Sequence, residues 1–556
     1  MSDWGGRAAW CWLDTDFLDG AGFAARWAQW AQDAHRPGVL HYVAILPAPP
    51  DPWRLHALLL ARVALEPPFA VARWPTEPGF HRLEFCGGRV LLTLCIGPLQ
   101  EMLREQQFVA DGVRLGVAPD SRNSAEWDRW MVKALARLCR RGTQLQLSAP
   151  APALMSGLRQ AGFKPDAEGN LQTATYTPQW EPGTSRQPWR SPPPPPSHCV
   201  VVGAGLAGAA VAASLARRGW QVTVLDAWPS PAGGASGLPA GLLVPLVSRD
   251  DAARSRLSRA GVHLTQQWCH ALLQAGEDWA PSGVRQLLSD GEPGADLWHA
   301  DGAWVKPARL VAACLSRPGV SFVGSARVDR LLWDGGQWTL LDVDGKPLVQ
   351  APQVVLAGAA GTAVLLQACG DAPGQPAAAR LALRDMPPVQ GQISWGLRDA
   401  GADTQAFPAT PVNGHGHLLP AVPVGRAMAW FAGATYEPST EPPLEPQAAH
   451  AQNRRRLALL MPQAEAALAP AFDRGQVLAW RGTRCTTVDR LPGVGALERG
   501  TASRLWMSAG MGSRGLTYAI LCAEILAARL GAEPLPIEDH LARLLAAGRP
   551  GLSDHL

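Results

Sequence analysis

Three glycines, Gly203, Gly205 and Gly208, follow a run of valines and precede an alanine-rich stretch. In a G-x-G-x-x-G loop the first glycine makes a tight turn, the second lets the backbone reach a pyrophosphate, and the third lets helix and strand pack closely. The phosphate oxygens then meet a helix N-terminus, where free N–H groups and the helix dipole favour negative charge. Such a unit needs an acid at the end of its second strand to bind a ribose hydroxyl. Asp226 ends "QVTVLD", twenty-three positions after Gly203 (226 − 203), which is the required spacing. Gly203, Ala204, Gly205, Gly208 and Asp226 are therefore read as a dinucleotide-binding loop.

Further glycine patches accompany this loop. Gly234-Ala235-Ser236-Gly237 follows the acid, and "QVVLAGAAG" has the look of a buried strand ending in a glycine turn at Gly358. Near the other end, Gly510 and Gly512 lead through Ser513, Gly515 and Leu516 into an apolar helix. Its N-terminus can face a negatively charged group.

Together these residues resemble the D-amino-acid oxidase/glycine oxidase family of FAD enzymes. More closely, they resemble the oxidoreductase half of the bacterial bifunctional tRNA 5-methylaminomethyl-2-thiouridine biosynthesis family. "GASGLPAGLLVPLVSRDD", "VQGQISW", "GHLLP", "AGATYEPS", "GTRCTTVDRLPGVG" and "GSRGLTYAILCAEILA" occur in that family's order, over about residues 199–530. The resemblance implies FAD as cofactor and tRNA as substrate. It also implies oxidation of the secondary amine of a carboxymethylaminomethyl group on the wobble uridine, leaving the aminomethyl base and glyoxylate. Arg484 and Arg514 resemble the family's carboxylate-binding arginines, and a guanidinium fork suits a carboxylate. Gln392, His417 and Tyr436 are further pocket candidates. Leu238 stands where the family tends to have Asn, and Gln390 where it tends to have Arg.

A second Gly-Ala-Gly lies in "DFLDGAG", Asp16 to Gly22. "LARLCRRGTQLQLSAPAPALMSGLRQAGFKPD" and "GVAPDSRNSAEW" resemble the S-adenosylmethionine-dependent methyltransferase half of the same bifunctional family. Leu18, however, replaces the loop's first glycine. "LHYVAILPAPP" ends in Leu46 and Pro47 where a ribose-binding acid is needed, and the next acid is Asp51. Pro98 follows Gly97 where an adenine-contacting acid belongs, and Leu115 precedes Gly116-Val117-Ala118-Pro119 where the family has its catalytic Asp. Each missing acid leaves a donor unpaired, at about 1–3 kcal/mol. A degenerate methyltransferase-like domain is expected, kept for folding or for holding tRNA. An active methyltransferase with a rearranged site is the alternative.

These motifs need two α/β units to position them. The 556 residues exceed what one core supports. Hydrophobic residues make up 47% and charged residues 17%, as in globular chains. "TPQWEPGTSRQPWRSPPPPPSH", with five consecutive prolines, reads as an extended linker. The expected division is a Rossmann-like methyltransferase fold over 1–176, a proline-rich linker over 177–198, and an FAD-dependent oxidoreductase over 199–550. Within the last, FAD-binding parts are placed at about 199–290, 345–370 and 480–535. An inserted antiparallel-sheet substrate domain is placed at about 291–344 and 380–475. "EWDRWMVKALARLCRR" predicts an amphipathic helix.

Ten scattered cysteines without a CxxC pair or a Cys/His cluster argue against a disulfide framework or a metal site. No signal peptide is read at the N-terminus. The apolar stretch from Cys199 to Ala216 is read as a buried strand and helix, not a membrane span. A cytoplasmic monomer without membrane or DNA partners is expected. The net charge of +3 is compatible with RNA but too weak to argue for it. Arg454-Arg455-Arg456 and the arginines of 137–141 can meet phosphates or simply form solvated helix faces. Two rival readings stay open: an FAD amine oxidase acting on a free small molecule, and a tRNA-binding scaffold with structural FAD.

Overall fold

The computed structural model describes residues 4, 6–63, 74–116, 127–148, 152–167, 172–180, 188–287, 296–368, 386–398, 404–440, 442–497 and 504–549. It is an α/β protein built around three main sheets.

The first sheet has eight strands in the order Gly79–Phe85, Val90–Ile96, Val39–Leu46, Ala9–Asp14, Ala110–Leu115, Cys139–Leu147, Thr173–Tyr176, Phe163–Pro165. Its five central strands run parallel, and antiparallel strands close both edges. Val39–Leu46 and Val90–Ile96 are buried at every position. Continuous apolar runs of this kind form strands covered on both faces. Helix Ala21–Gln32 packs an aromatic-rich layer on one face, and helix Arg129–Arg137 covers the other. That second helix is shorter than the sequence pattern predicts. It ends at Arg137, and Cys139 already begins the next strand, pairing with Ala110. Strand pairing has overridden the basic last turn.

The second sheet orders Val320–Val323, Gln221–Leu225, His198–Val202, Gln353–Leu356, Leu505–Ala509 and Gly493–Ala496. All but the last are parallel. Helices Leu206–Ala216, Gly515–Gly531 and Ala253–Leu272 share one apolar layer on it. The stretch from Cys199 to Ala216 is thus a buried strand and helix. Among the described residues no helix is long and apolar enough to cross a membrane.

The third sheet is mainly antiparallel. It runs Leu297–His299, Val284–Gln286, Val412–Asn413, His417–Val424, Ala427–Gly433, Pro388–Leu397, Glu437–Pro438, and Leu478–Cys485 also pairs with Pro388–Leu397. Side chains alternate between its faces. One face packs on helices Pro446–Leu460 and Pro462–Asp473. The other carries Ile393, Leu419 and Phe431 against Ala240 and Trp304. Several segments fall outside the expected division, among them Val284–Gln286, which is expected with the FAD-binding parts and pairs in the antiparallel sheet. Val320–Val323 joins the parallel sheet as its edge, because a helix-connected crossover returns it beside Gln221–Leu225. Leu478–Cys485 belongs to the antiparallel sheet, where its whole length finds a ladder partner.

The first sheet docks on the second layer through its edge. Gln267 donates to the Arg82 carbonyl at 2.9 Å and accepts from the Glu84 amide at 2.9 Å, standing in for a neighbouring strand. Behind this contact lies a buried cluster of charges. Glu84 accepts two bonds from Arg217 at 2.7 and 3.1 Å, and Arg217 also pairs with Glu524. Arg218 bridges Glu524 at 3.2 Å and Glu533 at 2.7 Å, and His41 Nε2 lies 3.0 Å from Glu533. Buried charges persist only when paired in this way.

Candidate functional site

The loop after strand His198–Val202 has the geometry its glycines predict. Gly203 has φ of 112°, and a Cβ there would lie 2.6 Å from the Ala357 carbonyl oxygen. A Cβ on Gly208 would lie 1.8 Å from the Gly203 oxygen, so only glycine lets the helix approach this strand. Gly205 caps helix Leu206–Ala216 without a side chain of its own, and beyond the Leu206 amide, which donates to Ser236 Oγ, the first-turn N–H groups are left for an anion. Asp226 stands at the end of the second strand. Its carboxylate accepts from the Ala204 amide at 2.5 Å and the Trp228 amide at 2.8 Å.

The second glycine patch lies against the first. Ser236 Oγ accepts from the Leu206 amide at 2.9 Å, and Ala232 donates to the Ala204 carbonyl at 3.0 Å. Space opens beside Gly234, where a Cβ would have no neighbour within 4 Å. Ala235 and Gly237 complete a short helical turn. The Gly358 amide donates to Thr362 Oγ1 at 3.1 Å at the end of the third strand. Gly512 and Ser513 turn into helix Gly515–Gly531, with Gly512 at φ 56° and its amide donating to the Cys485 carbonyl at 2.8 Å. Leu516 reaches towards Gly241, on the strand that follows the second glycine patch. A cradle of glycines, an open helix end and a strand-end acid fit the pyrophosphate and ribose of FAD.

Register in the antiparallel sheet decides which candidates face this cradle. Arg484 pairs with Val389, and His417 pairs with Gly433, which pairs with Ile393. Val389 and Ile393 lie on one face, so Arg484 and His417 share the face turned towards Ala240 and Trp304. Arg484 Nη2 donates to the Thr435 carbonyl at 3.0 Å. A Cβ on Gly391 would lie 2.1 Å from that nitrogen, so Gly391 makes room for the guanidinium. Among the described residues neither Arg484 nor Arg514 has a carboxylate within 4.0 Å. Burial draws both arginines below the ordinary guanidinium pKa, and both stay charged. Arg514 sits just before helix Gly515–Gly531, its Nη1 donating to the Val244 carbonyl at 3.4 Å. The His417 pKa is pushed down to about 4 by burial and by Arg484.

Gln392 requires correction. It lies on the opposite face, fully buried, donating to the Pro446 carbonyl at 3.1 Å and accepting from Arg481 at 2.7 Å. One step along a strand reverses the face, and the motif "GQ" does not reveal which residue points inward. Tyr436 is 54% exposed and lies at the rim, with the Arg484 Cζ 6.0 Å from its ring centre.

The first glycine loop is arranged differently. Arg114 Nη2 pairs with Asp16 at 2.9 Å, and its Nη1 lies 2.5 Å from where a Cβ on Gly22 would stand. Ser148 also donates to Asp16. Asp14 is buried and bonded by the Tyr42 hydroxyl, and burial lifts its pKa to about 6. Asp51 caps helix Pro52–Val63, accepting from the Trp53 and Arg54 amides at 2.9 and 3.1 Å. Sequence reasoning missed Arg114, Asp14 and Asp16 because their meeting depends on strand register, Asp14 beside Arg114. Val117, Ala118 and Pro119 lie outside the described residues.

The basic runs are largely consumed internally. Arg454 pairs with Glu465 and Asp473, each at 2.6 Å, and Arg456 donates to the Ala434 carbonyl. Arg140 pairs with Asp111, Arg137 donates to Leu103 and Gln106 carbonyls, and Arg141 donates to Pro178. Only Arg455 of the 454–456 run is exposed.

Fold and site define an FAD-dependent oxidoreductase of the amino-acid oxidase type. The family model "FAD dependent oxidoreductase" (DAO) matches residues 198–296 and 273–529. The chain is 45% identical over 578 residues to the tRNA 5-methylaminomethyl-2-thiouridine biosynthesis bifunctional protein MnmC of Albidiferax ferrireducens, covering 98% of this chain and 94% of that one. It is also 45% identical over 586 residues to the protein of the same name from Polaromonas naphthalenivorans, covering 96% and 89%. The chain belongs to this bifunctional tRNA-modification family. Among solved structures it is similar to an iminodiacetate oxidase from Chelativorans (21% identity, TM-score 0.45, 61% of this chain and 96% of that one). It is also similar to a glycine oxidase from Bacillus cereus (17% identity, TM-score 0.48, 62% and 97%).

Proposed function

We propose that this chain converts the 5-carboxymethylaminomethyl group of a wobble (2-thio)uridine in tRNA to the 5-aminomethyl form. The observation that carries the reading is Arg484. It is a half-buried guanidinium without a carboxylate partner among the described residues, on the sheet face turned towards the flavin cradle. A guanidinium so placed binds the substrate carboxylate and fixes the carbon between carboxylate and amine. Gly203, Ala204, Gly205, Gly208, Asp226, the 234–237 turn, Gly358 and residues 512–516 would hold FAD, which when bound would supply the acceptor for the hydride leaving that carbon. The product imine takes up water and splits into the aminomethyl base and glyoxylate. His417 stays neutral at physiological pH, so it adds no second positive charge beside Arg484. Arg514 holds the start of helix Gly515–Gly531 beside the cradle, and Gln392 supports the sheet from its far side.

The same reading assigns no methylation to the first sheet. The residues there do not fit S-adenosylmethionine. Arg114 lies over Gly22, and Asp16 is already paired with it. Asp51 is spent as a helix cap, and Leu46, Pro98 and Leu115 stand where ligand-binding acids are needed. Calorimetry is expected to show no micromolar S-adenosylmethionine binding. The reading takes tRNA as the macromolecular partner of a cytoplasmic monomer. Its test is incubation of the yellow protein with tRNA carrying the carboxymethylaminomethyl uridine, with and without S-adenosylmethionine, and mass analysis of the nucleosides. Loss of the carboxymethyl group with no methyl gain is expected, and an unchanged nucleoside overturns the reading.

A further inference from the structure

We infer that Tyr436 is the stacking platform for the base whose side chain is oxidised, and so the residue that favours RNA over free amines. This rests on the substrate reading above. A single exposed aromatic is ordinary on a protein surface, but this one is displayed by a fixed frame. Its neighbours Thr435 and Glu437 are 0% and 5% exposed. Thr435 Oγ1 accepts from the Gln392 amide at 2.8 Å and donates to Glu437, whose other oxygen accepts from the Leu444 amide at 3.1 Å. Glu437 and Pro438 pair with Gln390 and Val389. With both flanking residues locked inward, Tyr436 is turned out at the rim.

The same frame holds Arg484, whose Nη2 donates to the Thr435 carbonyl at 3.0 Å while its Cζ lies over one face of the Tyr436 ring, 6.0 Å from its centre, leaving the rest of the ring exposed. Platform and carboxylate clamp are thus set at one spacing. The arm from the uracil ring to the carboxylate carbon has four bonds of about 1.5 Å, spanning about 5 Å when extended. A base lying on the part of the ring that Arg484 leaves free brings its carboxylate within reach of the guanidinium, with the amine and reacting carbon between the two. Single-stranded bases are commonly recognised by stacking on exposed aromatics, because every base offers a π face. A free amino acid has no group that reaches Tyr436 while Arg484 holds its carboxylate.

The test uses the FAD-loaded protein and follows anaerobic bleaching of the flavin. One substrate is an anticodon stem-loop RNA carrying the carboxymethylaminomethyl uridine, and the other is N-methylglycine. In Tyr436→Ala the ratio of kcat/KM for RNA to that for N-methylglycine is expected to fall about tenfold, mainly through KM for RNA. Tyr436→Phe and Tyr436→Trp are expected to restore it, because both keep an aromatic π face without the hydroxyl. An unchanged ratio in Tyr436→Ala, or failure of both aromatic variants to restore it, overturns the inference. If the unsubstituted protein bleaches with N-methylglycine and not with RNA, the substrate reading itself fails and takes this inference with it.

Discussion

Replacing Glu84 with glutamine is a direct test of how the two halves are joined. Glu84 lies on the edge strand of the first sheet and takes two bonds from Arg217, at the C-terminal end of the helix whose other end forms the flavin cradle. Both side chains are under a tenth exposed. Breaking a buried pair by removing one partner costs about 3–5 kcal/mol, because the remaining charge is left buried. Arg217 keeps Glu524, and the glutamine oxygen still accepts a bond, so the expected loss is nearer 2 kcal/mol. With a urea m-value of about 2 kcal/mol/M, the midpoint moves down by about 1 M. Unfolding should be followed by flavin release and by tryptophan fluorescence together. Both signals are expected to shift, since the cluster joins residues of both sheets. Glu84→Gln combined with Glu524→Gln should lose less or more than the sum, because both act on Arg217. An unshifted midpoint, or strict additivity in the double variant, refutes the coupling.

Other outcomes follow from the same geometry. Gly208→Ala places a Cβ against the Gly203 carbonyl, and the purified variant is expected to be colourless or to lose FAD on dialysis. Arg484→Met is expected to raise KM for carboxylate-bearing substrate by tenfold or more, about 1.4 kcal/mol for each factor of ten, while the flavin spectrum is retained. Glu533 is driven up by burial but held at about 2 by Arg218 and His41, against an ordinary 4.5. A lowered carboxylate pKa stabilises the fold above the ordinary value. Acid titration should therefore show stability falling from about pH 4.5 towards pH 2, and Glu533→Gln should flatten that slope. His417 moves from 6.5 to about 4, so its stabilising contribution is full above pH 6.5 and lost as pH falls through 4. His417→Asn should remove that part of the acid sensitivity in a pH series of thermal melts.

The sequence alone was enough to locate the flavin loop. Each requirement there is local: a tight turn at Gly203, close packing at Gly208, and an acid one strand later at Asp226. Backbone conformation and spacing along the chain express all three. The missing acids of the first loop were legible for the same reason, as residue types at strand ends. Tertiary structure decided whatever depends on elements distant in sequence. Whether Gln392 faced the flavin or the helices depended on strand register, because neighbouring residues on a strand point to opposite faces. The occupation of the first glycine loop by Arg114 depended on a parallel pairing of Asp14 with Arg114, which no local pattern encodes. The cluster of Glu84, Arg217, Arg218, Glu524, Glu533 and His41 gathers residues from both ends of the chain. Their charges could be buried only once packing brought the partners together.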